Sequence, residues 1–421
     1  MYNKFIVILI FVLFSGTLSS QTNYTSHYSR FGLGRINKVS QANNVGMGYT
    51  GIAYRDKFQT NPLNVASLTT MDTMSFIFSV GLKGGFSFTQ AGEATENHYF
   101  ANINYFSIAF PITKWWFSSI GIRPYSSMGY NIENTSDVTD DAGDAVTQTV
   151  ETFTGQGDVS QLYIGQAFKY KNISLGFNVS YLFGSLDKTT KLAFPPDAGA
   201  YNMFSESRTI INDFYFDFGL QYHAQISKKT KMFVGATYKM QKNIMSQTEL
   251  YLDRYFATTS VDTIFDGTID NSGIVLPMGI GIGLGFEFNE KLLVLGDFTY
   301  TNWEKAKLSE EASGLENSLL LNLGLQYVPK KLSLRYWDRI NYRMGGYYEK
   351  SYIVINGEQL KNIGITFGLG FPLKKTGTMF NFGFDLGQYG TTANGLIKES
   401  YVGAHISLSL FDKWFYKRKF D

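Results

Sequence analysis

The sequence predicts an all-β membrane protein: a 14-stranded antiparallel outer-membrane β-barrel preceded by an N-terminal plug, or hatch, segment. Three observations carry the prediction. Segment after segment alternates large apolar residues with small polar ones at a period of two, the signature of a strand with two unlike faces. The composition combines 42 Gly, 28 Tyr, 36 Phe and 5 Trp in 421 residues with only 17% charged residues. Beyond the N-terminus no stretch approaches the 18 apolar residues that a transmembrane helix needs, so membrane residence has to take the form of a closed barrel.

Charge and cysteine usage narrow the partners. Lys and Arg total 37 against 35 Asp and Glu, a formal charge of +2. That balance supplies no basic patch for nucleic acid. The absence of cysteine excludes disulfides, thiolate metal sites, a cysteine nucleophile and a lipidated N-terminal Cys.

Taken in chain order, residues 1–20 read as a secretory signal peptide. Lys4 supplies the positive region, Phe5 to Phe14 the apolar run, and Gly16, Thr17, Ser19 and Ser20 the small residues before a cut ahead of Gln21. Residues 21–73 do not alternate; they carry Gly32, Gly34, Gly46, Gly48 and Gly51, then the run Asn61-Pro62-Leu63-Asn64. About fifty residues exceed what a tether requires, and they are expected to fold back as a hatch. Residues 74–411 form the barrel, with strands expected at 74–89, 99–111, 115–130, 156–170, 172–192, 205–227, 231–254, 260–288, 291–308, 314–328, 340–356, 358–372, 377–390 and 395–411. Ile173, Leu175, Phe177, Val179 and Tyr181 against Ser174, Gly176, Asn178 and Ser180 show the pattern, as do Ile280, Ile282 and Leu284 against Gly279, Gly281 and Gly283. Lipid outside and a small-residue lumen inside explain it directly.

The connections are expected to alternate between short Lys-rich turns (Lys114, Lys169 to Lys171, Lys228 to Lys231, Lys291, Lys330 and Lys331, Lys374 and Lys375) and longer acidic loops. The clearest of the loops is 131–155, with Glu133, Asp137, Asp140, Asp141, Asp144 and Glu151. Short periplasmic turns and long outer loops are the outer-membrane pattern, and an even strand count puts both barrel ends on the periplasmic side. The last strand, with Tyr401, Gly403, Ile406, Leu408 and Phe411, resembles the β-signal read by the barrel-insertion machinery. Residues 412–421 follow it as a basic, aromatic periplasmic tail. Trp414, Phe415 and Arg418 there serve either as an interfacial girdle with a solvated end or as a docking peptide for another envelope protein.

Gly32-Leu33-Gly34, the Gly46 to Gly51 cluster, Asn61-Pro62 and the late strand Tyr342-Arg343-Met344-Gly345-Gly346-Tyr347-Tyr348 together make the chain resemble the long-chain fatty acid transporter (FadL) family. That resemblance implies a hatch motif at Gly34, Asn61 and Pro62. It also implies a third strand that kinks inward and opens the wall sideways. Pro124 sits inside the third segment, where a ladder N–H is normally required. It either ends the strand near the rim or breaks the wall and gives an apolar substrate a lateral exit.

Catalytic chemistry and cofactors are not expected. His27, His98, His223 and His405 lack metal-ligand spacing, and the Gly-x-Gly run at 279–285 has a strand period with no helix to receive a phosphate. The acidic loop lacks the spacing of a calcium loop. Lumen-phase charges are few: Asp217, Lys239, Asp297, Arg343 and Asp385. A sparse, aromatic lining suits an apolar ligand or a blocked lumen better than a wide porin. The resemblance implies passive transport of a hydrophobic small molecule through a plugged barrel with lateral exit. The tail raises a second possibility from another class, a non-transporting subunit of an outer-membrane secretion or assembly complex.

Overall fold

The computed structural model describes residues 26–139, 145–256, 259–269, 273–308, 315–373 and 377–413. Residues 1–20, expected as a signal peptide, Asp140, Asp141, Asp144, Lys374, Lys375 and the tail residues Trp414, Phe415 and Arg418 lie outside the described residues.

Fourteen strands close into an antiparallel barrel. They are β1 (Ser75–Ala91), β2 (Ala94–Pro111), β3 (Trp116–Thr139), β4 (Ala145–Tyr170), β5 (Ile173–Ala193) and β6 (Asn202–Ser227), then β7 in three pieces (Thr230–Lys239, Lys242–Ile244, Ser246–Phe256). They continue with β8, also in three (Thr259–Ile269, Ile274–Leu276, Gly279–Phe288), and with β9 (Leu292–Thr301), β10 (Ser318–Tyr327), β11 (Asn341–Ile355), β12 (Glu358–Pro372), β13 (Met379–Gly390) and β14 (Ile397–Lys413). Closure is direct: β14 pairs with β1 from Ile397↔Ala91 to Lys413↔Ser75. The alternation seen in the sequence sorts the two faces as lipid and lumen demand. Leu323, Ile363 and Leu175 stand exposed on the outside, while Ser174, Ser180, Thr366 and Asn381 are fully buried inside.

Three features depart from a plain barrel. First, the acidic stretch expected as a loop is largely strand. β3 and β4 run on as a ribbon through Glu133↔Thr152 and Asp137↔Gln148. Beyond the Ile132↔Phe153 pair its residues are mostly polar on both faces, so no sustained apolar alternation marks it in the sequence. The chain length therefore lies in the strands, and the expected sorting of connections by length does not hold. At the end where β11 meets β12 the link is a two-residue turn, Asn356-Gly357, with φ 53° and 77°. These are the positive values that an Asn-Gly hairpin turn requires. At the opposite end, 328–340 connects β10 to β11 through thirteen residues that include a 3-10 turn, Tyr336–Arg339.

Second, the wall splits between β2 and β3. Their ladder runs only from Pro111↔Phe117 to Phe106↔Ile122. Immediately beyond it, Pro124 faces Ser160 of β4, and a bulge follows between Pro124 and Ser126. Proline supplies no ladder N–H, and a bulge turns the strand away from its neighbour.

Third, β7 and β8 leave the wall at the same level. Lys242–Ile244 and Ile274–Leu276 pair with each other as a separate two-stranded ribbon. Ile244, Ile274 and Leu276 are thereby buried against Leu182, Leu186, Val159, Met128, Ile211 and Leu33. These partners come from the lumen faces of β3 to β6 and from the N-terminal segment, so the ribbon crosses the interior. At the gap it leaves in the wall, Lys242 pairs with Asp213 of β6 at 2.6 Å and also donates to the Phe214 carbonyl.

Candidate functional site

The site is the interior, and residues 26–73 organise it. Little regular structure forms there: 3-10 turns at His27–Arg30 and Val65–Thr70 and one helical turn at Ala42–Val45. Backbone groups without a helix or sheet of their own must find partners elsewhere. Here the barrel wall provides them.

The first stretch follows the free edge of β3. Ser26 N–H donates to the Gly129 carbonyl, Arg35 and Ile36 pair with Ser127 and Ser126, and Asn37 N–H donates to Tyr125 at 2.9 Å. Gly34 (φ 81°) comes so close that a Cβ would lie 2.6 Å from the Ser127 carbonyl oxygen. On the other flank, Lys83 of β1 donates to Asn37 at 2.9 Å, Asn104 of β2 to the Ser40 carbonyl, and Tyr28 to the Ile397 carbonyl of β14 at 2.6 Å. Burial holds the Tyr28 phenol up at about 12, so it remains a neutral donor. The split between β2 and β3 is thus bridged by this stretch.

The second stretch is bonded radially. Asp297 of β9 accepts from Gly51 N–H at 2.7 Å and Ile52 N–H at 2.9 Å through one oxygen. Asp385 of β13 accepts from Tyr49 at 2.6 Å and from Tyr347 of β11 at 2.8 Å. Thr366 of β12 accepts from Gly48 N–H, Asn322 of β10 donates to the Tyr49 carbonyl, and Gln221 of β6 to the Ile52 carbonyl. Asn64 reaches the Leu220 and Ala236 carbonyls of β6 and β7. Arg123 of β3 donates to the Pro62 carbonyl at 3.1 Å. Arg55 reaches Ser174 of β5 and Gln221; burial pushes its guanidinium down to about 10, which leaves it charged at neutral pH. A segment bonded to strands all the way round a closed ring lies within the ring.

The residues singled out in the sequence separate into groups. Asn61 is buried and ties the segment to itself, donating to the Gly51 and Tyr54 carbonyls, while Pro62 meets Arg123. Asp297 and Asp385 hold the N-terminal segment directly. Arg343 is buried on Gln326 and Asn381 of the wall, and Gly46 packs against it. Asp217 accepts from Asn178 at 2.7 Å and stands opposite Lys239, away from those anchors. In β14, Ile406 faces outward, whereas Tyr401, Gly403 and Phe411 face inward. Phe411 meets Phe58 edge-on, with ring centroids 5.0 Å apart.

Sequence reading missed several anchors. Asn64 makes more wall contacts than Asn61; an Asn two residues before Ala66, whose N–H it caps, is the signal that points to it. It also missed a network in which Lys38 lies 3.0 Å from Glu349 and 3.9 Å from the Tyr347 ring centroid. Tyr347 and Tyr401 share a 2.6 Å hydrogen bond within the same network.

A cavity beside Asn61, Pro62, Val65, Arg123, Tyr163 and Asn178 offers about 20 Å³, room for one water. Beside the ribbon cluster, a second buried cluster gathers Tyr28, Trp303, Tyr352, Leu360, Tyr389 and Leu396, with Trp303 and Tyr352 stacked at 3.9 Å. Among the described residues, no helix is long and apolar enough to cross a membrane.

Comparison with solved structures gives the fold its context. The CymD monoaromatic hydrocarbon channel matches with a TM-score of 0.60 and 15% identity, over 91% of this chain and 98% of that one. The Ralstonia pickettii toluene transporter TbuX matches with 0.61 and 16%, over 90% and 99%. A Pseudomonas aeruginosa FadL homologue matches with 0.61 and 12%, over 90% and 99%. At these identities the likeness is one of fold, the 14-stranded outer-membrane barrel of FadL-like proteins. No relative is found among curated protein sequences. A family model described as BamG matches residues 1–421, so by sequence the chain, throughout its length, belongs to the BamG family.

Proposed function

We propose that this protein is a closed, non-conducting barrel that acts as a structural subunit of an outer-membrane barrel-assembly machine. One observation carries the reading: apolar residues of the wall, the ribbon and the N-terminal segment pack together in the interior. Sites for small apolar ligands occupy roughly 300–1,000 Å³, whereas the cavity at the hatch motif holds about 20 Å³. The buried residues around it form clusters of the kind found in a soluble core. The BamG family name, with its reference to barrel assembly, supports the same reading. No catalytic role is part of it. The test is native mass spectrometry on protein extracted gently from its own outer membrane. A stoichiometric complex with other envelope proteins is the expected result. A lone barrel carrying an acyl chain or aromatic ligand would overturn it.

A second reading, passive transport of a hydrophobic small molecule, is favoured by the broken β2–β3 ladder beside Pro124 and by the hydrocarbon channels that share the fold. In that reading the segment 26–73 is a hatch that moves and the split is a lateral exit. Uptake of an apolar tracer that falls in Pro124→Ala, at unchanged barrel abundance, would establish it. Equal uptake in cells with and without the protein would exclude it.

A further inference from the structure

Where the split wall is bridged, three potential metal ligands from two separate parts of the chain converge. On β2 the spacing Glu96-x-His98 puts both side chains on the same face of the strand. His27, in the first turn of the N-terminal segment, meets them from the other side: the His27 and His98 rings stand edge-on at 5.8 Å. One ligand atom from each of His27, Glu96 and His98 lies within 4.8 Å of the other two. His98 Nε2 is 3.3 Å from a Glu96 oxygen.

We propose that His27, Glu96 and His98 form a divalent-metal site of zinc type that fastens the N-terminal segment to β2. Two imidazoles and a carboxylate match zinc and disfavour calcium and magnesium, which require oxygen ligands. Bonds of about 2.0–2.2 Å place tetrahedral ligand atoms about 3.3 Å apart, so the loosest pair has to close by about 1.5 Å. Glu96, 63% exposed, stands near the β1–β2 turn and has the freedom to make that move. The open side leaves a fourth position for water. The environment of His27 supports the assignment. Glu399 of β14 lies 3.6 Å from its Nδ1 and accepts its backbone N–H at 2.8 Å. A carboxylate beside one ring nitrogen orients the ring and directs the other nitrogen to the metal. The site draws on neither functional reading, because it concerns only how the split is held.

The test uses the full-length barrel in detergent, stripped with chelator and carrying no polyhistidine tag. Zn²⁺ is titrated by calorimetry and Co²⁺ by visible absorption. One ion per chain is expected, with ligand-field bands for Co²⁺. Affinity should fall at least tenfold in His27→Gln and in His98→Gln, with heat-modifiable gel migration confirming that each variant is a folded barrel. In the wild-type protein, Zn²⁺ should also shield His98 from diethyl pyrocarbonate. Absence of stoichiometric binding, the same affinity in the double variant, or labelling of His98 unaffected by Zn²⁺ would each overturn the proposal.

Discussion

Removing the Asp297 carboxylate is expected to release the hatch without opening the barrel. One buried oxygen of Asp297 accepts two backbone N–H groups, at 2.7 and 2.9 Å from Gly51 and Ile52. Hydrogen bonds to a charged group contribute about 1.5–3 kcal/mol each, and a buried N–H left without a partner costs a similar amount. Because the two share one acceptor they do not add fully. About 3 kcal/mol is therefore the expected loss in Asp297→Ala, or on the order of a 150-fold rise in local opening. Hydrogen exchange of peptides spanning 44–54, measured on the detergent-solubilised barrel, reads that quantity directly. Asp297→Asn keeps one neutral acceptor and should lose about half the free energy, close to a tenfold rise. Unchanged exchange in Asp297→Ala would refute the argument, because the two bonds would then carry none of the hatch's stability. Equal loss of protection in β9 to β13 would refute it in another way, by showing that the carboxylate stabilises the wall and not the insert.

Three further outcomes follow from the same geometry. Gly48→Ala should unseat the hatch: at φ 66° the new Cβ would lie 2.4 Å from the Leu323 oxygen and 2.7 Å from Gly346 N, both wall backbone. The left-handed conformation alone costs about 1–2 kcal/mol, and protease nicking between 40 and 60 in an intact barrel would report it. Leu276→Ala should cost about 2–5 kcal/mol by opening a cavity in the ribbon cluster, read as a lower denaturant midpoint, and the variant should gain binding of a small apolar probe that the wild type lacks. Tyr28→Phe removes a hydroxyl that donates to the Ile397 carbonyl at 2.6 Å and accepts its N–H at 3.0 Å; exchange should rise by about tenfold in 26–37, worth about 1.4 kcal/mol, and stay level in 44–54.

The wall was legible because its rule is local. Ile173 to Tyr181 announce which face meets lipid without reference to any other strand, and a repeated pattern of that kind fixes strand number. The extension of β3 and β4 beyond Ile132 and Phe153 was not legible, since pairs such as Glu133↔Thr152 and Asp137↔Gln148 are polar and leave little apolar trace. Nor was the inward excursion of β7 and β8. Ile244, Ile274 and Leu276 look like any other apolar residues of a strand, and only their pairing with each other removes them from the wall. In the hatch, Asp297 and Asp385 could be placed in the lumen by phase. Their partners in the N-terminal segment, the Gly51 and Ile52 N–H groups and Tyr49, lie hundreds of residues away, which spacing does not encode. Asn61-Pro62 stood out as a turn dipeptide; Asn64, which reaches farther, did not.

The placement of Ser26 to Tyr28 has a consequence for the order in which the molecule is made. Ser26 and Glu399 are joined across 373 residues of chain, and Tyr28 is joined to Ile397 across 369. Contacts this distant in sequence are entropically the slowest to form. The stretch 26–37 thus finds its β3 partners early in the chain, whereas Glu399 and Ile397 become available only with the last strand. A chain that stalls before β14 keeps the bonds of residues 26–40 to β1, β2 and β3 but lacks those to Glu399 and Ile397. The join of Ser26 and Tyr28 to β14 is therefore made only when the barrel closes, and it ties the start of the N-terminal segment to the strand that completes the ring.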